Sequence, residues 1–97
     1  MNNPESQVII ARFYEAINTL INLGTLKSKR AFALEHKIEY TSFSRCEHEL
    51  GSDRFQVDWI KYLYTEYPVS IDWLMTGRGG MLRKVDHLIQ NESDKTT

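Results

Sequence analysis

SKRAFALEHKIEYTSFSRCEH, residues Ser28 to His48, is the stretch whose reading decides the fold. Two short amphipathic segments meet in it. Phe32 and Ala33 form an apolar pair, the pattern breaks near Lys37, and Ile38, Phe43 and Cys46 resume it at helical spacing. Ser28 is placed to cap a helix running from Lys29 to roughly His36, which buries Phe32, Ala33 and the stem of His36. A second helix, from about Tyr40 to His48, buries Phe43, Cys46 and part of Glu47 and leaves Thr41, Ser44 and Arg45 on the outer face. Its cap falls on Glu39 or Thr41, and Thr41 is chemically the better one, because its hydroxyl accepts from an N–H two or three residues on. The stretch reads as helix–turn–helix.

Upstream, Asn3 caps and Pro4 opens a long helix, since proline is tolerated where its missing N–H is not needed. Glu5 suits the positive end of that helix. Ile10, Phe13, Tyr14, Ile17, Leu20 and Ile21 trace one apolar stripe to about Leu23, and Gly24 supplies the positive φ that ends many helices. Downstream, Glu49 to Asp53 is a loop with Gly51. Phe55, Trp59, Ile60, Leu63, Tyr64 and Tyr67 then mark the apolar face of a fourth helix, which Pro68 stops. Ser70 caps a fifth, Ile71 to Thr76, with Trp73, Leu74 and Met75 for burial and Gly77 as terminator. Met81 and Leu82 return toward the core, Val85 to Ile89 adds a marginal turn or helix, and NESDKTT is a polar tail. The expected fold is all-α, a compact bundle of about five helices over residues 1–82, with residues 83–97 as an extension.

Composition agrees with a folded domain. The 41% hydrophobic and 26% charged content and the eleven aromatic residues exclude a disordered or collagen-like chain of 97 residues. A lone cysteine, Cys46, makes no internal disulfide, and MNNPESQ has neither the basic flank nor the apolar run of a signal peptide. A cytoplasmic location and no membrane partner are therefore expected. The net charge of −1 is low for a nucleic-acid binder, because phosphate neutralisation supplies most non-specific affinity. Its distribution matters more than its sum. Lys27, Lys29, Arg30, Lys37 and Arg45 outnumber Glu35, Glu39 and Glu47 in the central stretch, whereas both flanks carry a negative balance.

At these residues the chain resembles the lambda-repressor-like, or Cro/repressor-type, helix-turn-helix regulators of bacteria and phage. The likeness covers roughly residues 13–82. It rests on Phe32, Ala33, Ile38, Phe43, Cys46 and Glu47, and more specifically on YPVSIDWLMTGRGGML from Tyr67 to Leu82, which is similar to the WLLTG-type ending of many phage-repressor-like domains. The resemblance implies sequence-specific binding of double-stranded DNA by a repressor-like transcriptional regulator. On that reading Tyr40, Thr41 and Ser42 at the start of the third helix, and Ser44 and Arg45 one turn on, face the bases. Lys29, Arg30 and His48 face phosphate. Arg45 suits guanine, whose O6 and N7 take two hydrogen bonds from a guanidinium. Palindromic operators imply a homodimer, through the fourth and fifth helices or Val85 to Ile89. Larger members of the family carry a second domain, for which these residues leave no room. The sequence departs from the family pattern at Lys37, where glycine is usual and positive φ is required, at His36, where an aliphatic is usual, and at acidic Glu39.

Other chemistries are weaker. Cys46, His48 and His36 fit no zinc spacing, so no metal or other cofactor is expected. Gly77-Arg78-Gly79-Gly80 lacks the lysine and hydroxyl of a phosphate-binding loop and follows a helix rather than preceding one. No serine, histidine and acid are spaced for hydrolysis, and an enzyme is not expected. The alternative is a helical module with a degenerate helix-turn-helix that binds a protein partner, in the manner of an antitoxin or accessory regulator.

Overall fold

Three of the helices start at a side chain that caps them, and two start without one. The structure, a computed structural model, describes residues 3–83, and in them the chain forms α1 (Pro4–Asn22), α2 (Lys29–Glu35), α3 (Tyr40–His48), α4 (Val57–Glu66) and α5 (Ile71–Thr76). This is the all-α bundle of five helices that the sequence calls for. The segment Val85 to Ile89 and the tail NESDKTT lie outside the described residues. Asn3 Oδ1 accepts from the Ser6 N–H at 2.9 Å with Pro4 in the first turn, Ser28 Oγ from Ala31 at 3.0 Å and Ser70 Oγ from Trp73 at 3.1 Å. Each bond satisfies an amide that the helix itself leaves without a partner.

The helix ends are equally local in origin. Gly24, at φ +81°, lets the Thr25 N–H turn back to the Leu20 carbonyl and its own N–H to that of Ile21, both at 3.0 Å. That pair of bonds is the Schellman closure. Gly77, at φ +80°, closes α5 with a 2.8 Å bond to the Trp73 carbonyl. A second constraint acts there, because a Cβ on Gly77 would stand 2.8 Å from Nη2 of Arg12. Arg12 itself donates to the Leu74 carbonyl at 3.1 Å, laying a cation from α1 on the negative end of α5.

The core is organised around Phe13, which is fully buried. Its ring centroid lies 5.0 Å from Tyr14, 5.2 Å from Phe55, 6.0 Å from Phe43 and 6.1 Å from Phe32, all edge to face. Rings prefer this arrangement because the positive edge of one meets the negative face of the next. Ile17, Leu20, Ala33, Cys46, Leu63, Val69 and Leu74 complete the interior. Cys46 is thus a small core residue, and burial pushes its thiol pKa up.

Three expectations need correction. The N-cap position of the third helix falls on Glu39, not Thr41, and no side chain caps it. Extended Glu39 (φ −67°, ψ 119°) hands the chain straight into helical Tyr40, so Thr41 already lies inside the helix. The fourth helix spans Val57 to Glu66, leaving Phe55 before it and Tyr67 at its C-cap. Phe55 reaches the core from the loop, 4.9 Å from Trp59, while Tyr64 is exposed beneath the Arg83 guanidinium at 5.0 Å. In α5 only Leu74 is buried, Trp73 is half-buried and Met75 is exposed. A six-residue helix has one apolar edge, and Leu74 occupies it. The chain then returns at Met81, which packs against the core, whereas Leu82, expected there too, is exposed. Val69 and Leu82 form an isolated antiparallel bridge, with bonds from Ser70 N–H to the Met81 carbonyl (2.8 Å) and from Arg83 N–H to that of Pro68 (2.6 Å).

Candidate nucleic-acid interface

The turn between α2 and α3 is four residues, His36 to Glu39. Lys37 takes φ +58°, the one non-glycine among the described residues with positive φ. Ile38 then donates back to the Ala33 carbonyl at 2.8 Å and packs against the core. This is the conformation that the family resemblance implied at this position, taken by a residue ill suited to it. His36 is no passive substitute for an aliphatic side chain. Its ring stacks on Tyr62 at 4.3 Å with an interplanar angle of 14°, and its two nitrogens meet the Phe32 carbonyl and Glu66, each at 2.9 Å.

Helix α3 is held from inside. Phe43 and Cys46 are buried, and the Tyr14 hydroxyl donates to the Phe43 carbonyl at 2.6 Å. Burial, joined by the charges of Cys46 and Glu47, raises the Tyr14 pKa well beyond any physiological pH, so the hydroxyl stays a donor. Glu47 is the second internal anchor. Its carboxylate accepts from Lys29 of α2 at 2.6 Å and from Asn18 of α1 at 3.2 Å. Burial works to raise its pKa, but the hydrogen bonds from Lys29 and Asn18 and the Lys29 charge outweigh it, and the carboxyl titrates below the usual range.

These contacts sort the expected site residues. Tyr40, Thr41, Ser44, Arg45 and His48 come together around a shallow hollow of ≈ 390 Å³ on the outer face of α3, with Glu49 at its edge. Arg45 is exposed and meets no ion pair or hydrogen bond among the described residues. Arg30 joins the same face from α2, its guanidinium 4.1 Å above the Tyr40 ring. Ser42 does not share this face. Its hydroxyl donates to Glu39 at 2.8 Å, and it borders a separate hollow with Lys37, Arg54 and Tyr62. Lys29 stands at the start of α2, but its ammonium is matched by Glu47. Glu39 offers its side chain to Ser42 rather than to the helix amides, so the first turn of α3 has no side-chain cap.

Glu47, Asn18 and Tyr14 were not singled out as a unit in the sequence, since the partners lie 18 and 29 residues apart. The signal available was an acid on the buried side of α3 facing a basic helix start. Scans against protein-family models, characterised proteins and solved structures find nothing that matches this chain. Among the described residues no helix is long and apolar enough to cross a membrane.

Proposed function

We propose that the chain is a sequence-specific double-stranded DNA-binding regulator that lays α3 in the major groove. The observation that carries this reading is Arg45, exposed and uncommitted among the described residues, at the centre of a face shared with Thr41, Ser44, His48 and the Arg30–Tyr40 pair. A guanidinium so placed grips guanine through two hydrogen bonds, while the uncapped first turn of α3 offers backbone N–H groups to phosphate. Arg30 takes the larger share of phosphate contact, because Glu47 already balances Lys29. Two copies on a palindromic site supply the affinity that one short helix lacks.

A protein-interaction role draws support from Leu34 on α2, 79% exposed beside the same turn, and from the net charge of −1. Selection of bound fragments from random duplexes, followed by titration over a salt series, separates the two. The DNA reading expects affinity to fall steeply with salt. Arg45→Ala costs about 1–3 kcal/mol and relaxes preference at one base pair, whereas Arg30→Ala weakens all sequences alike and lowers the salt slope by about one. Failure to retain any duplex at low ionic strength would sink the DNA reading.

A further inference from the structure

Where α2 and α4 end, three potential ligands converge. Glu35 closes α2, His36 is its C-cap and Glu66 closes α4, and a donor atom from each lies within 4.8 Å of the other two. The histidine is the unusual member. Its side chain is only 6% exposed, clamped between the Tyr62 and Phe32 rings, and both its ring nitrogens face acceptors. The Phe32 carbonyl can only accept, so Nδ1 carries a hydrogen and donates to it. In the neutral ring Nε2 is then a bare lone pair, aimed at the Glu66 carboxylate 2.9 Å away. Two acceptors face each other, and a cation is needed between them.

The surroundings favour a metal cation. An imidazole whose far nitrogen is fixed by a backbone carbonyl is the usual arrangement of a metal-ligating histidine, because that bond sets the tautomer and aims the free lone pair. Both helices turn their negative ends toward the cluster. The Tyr67 hydroxyl donates to Glu35 Oε1 at 3.3 Å, steadying that carboxylate. Two cations stand nearby among the described residues. Arg83 binds the carbonyls of Tyr64 and Tyr67, and Lys37 is exposed in the turn. Neither forms an ion pair with Glu35 or Glu66 among the described residues.

We propose that His36, Glu66 and Glu35 form a site for one divalent transition-metal ion of zinc's class. One imidazole nitrogen and two carboxylates suit zinc, cobalt or nickel, and leave one position of a tetrahedron for water. Donor atoms around tetrahedral zinc stand roughly 3.3 Å apart, so Glu66, now 2.9 Å from Nε2, draws back by a few tenths of an ångström and Glu35 adjusts by rotation about its own side chain, while the buried imidazole stays fixed. Magnesium and calcium, which prefer six or more oxygens, fit poorly. Occupancy ties the end of α2 to the end of α4 one residue before the Lys37 turn. The inference is independent of what α3 contacts.

The test is titration of the purified, metal-free full chain with zinc against a chromophoric competitor at neutral pH, with thermal melts alongside. One ion per chain, a higher melting midpoint with zinc and no competition from millimolar magnesium are expected. Glu66→Gln, at a position whose side chain is 43% exposed and outside the core, keeps the fold and weakens zinc binding by more than the roughly 10–100-fold that loss of an outer-shell partner costs. His36→Gln abolishes it. X-ray absorption of the zinc form shows one nitrogen ligand, the rest oxygen. No binding above that of Glu66→Gln means that a proton fills the gap, and overturns the site. Binding that survives both substitutions, or a shell with two imidazoles, points to His48 or His87 and overturns it equally.

Discussion

Lys37 carries the most informative backbone angle in the molecule. A left-handed lysine costs about 1–2 kcal/mol, because its Cβ crowds the neighbouring carbonyl. The chain tolerates this because Ile38 must enter the core immediately afterwards and α3 must start at Tyr40. Lys37→Gly relieves the strain, and the greater freedom of glycine in the unfolded chain takes back part of the gain. The net expectation is a rise in stability of up to about 1 kcal/mol, a melting midpoint a few degrees higher. Denaturant titration reads it as a higher midpoint at unchanged slope, and a lower midpoint means that the turn gains more from lysine than the angle costs. The break at Lys37 was legible in the apolar pattern, and its positive φ followed only from the family resemblance. The partners of His36 were not legible, since Tyr62 and Glu66 come from another helix.

Among elements, the decisive joint is the one at Glu47, where α1, α2 and α3 meet through Asn18, Lys29 and one carboxylate. Its folded pKa lies below the unfolded value. The stabilisation it provides is therefore fully present above the ordinary glutamate pKa of about 4.3, and is lost as pH falls through the depressed folded value. Melts across the acid range are expected to fall more steeply for the wild-type chain than for Glu47→Gln, the two curves drawing together at the lowest pH. Parallel curves remove Glu47 from any part in acid sensitivity. The helix ends set by Asn3, Ser28, Ser70, Gly24 and Gly77 were legible, because caps and left-handed glycines act within a few residues, whereas α3 and α4 start without a side-chain cap. The facing of α4 was not legible. The apolar spacing put Tyr64 on the inner face, yet it is Tyr62 that packs inward, against His36 of another helix, while Tyr64 is exposed.

At the scale of the whole molecule, one ring cluster holds the bundle, and Phe13 touches four of its members. Truncating a buried phenylalanine to alanine costs about 3–5 kcal/mol, a large share of the roughly 5–15 kcal/mol that keeps a small domain folded. Phe13→Ala is expected to leave a chain near its unfolding threshold at 37 °C, with weakened near-ultraviolet dichroism. Undiminished stability requires a core that collapses onto the vacated space. Of the outward residues, the sequence separated Thr41, Ser44 and Arg45 from the buried side by periodicity alone. It could not tell that Ser42 turns to Glu39 and Lys29 to Glu47, because those choices depend on which charges fold brings within reach.

The bond from Tyr14 to the Phe43 carbonyl has a consequence in angular terms. A helix presented to a partner has a phase as well as a place, and each residue of roll turns it by about 100°. The phase of α3 is set from α1, by a tyrosine that is itself buried and faces no partner. If α3 reads DNA, the choice between showing Arg45 and showing its neighbours is thus written partly in the first helix, where no inventory of contacted bases would look for it.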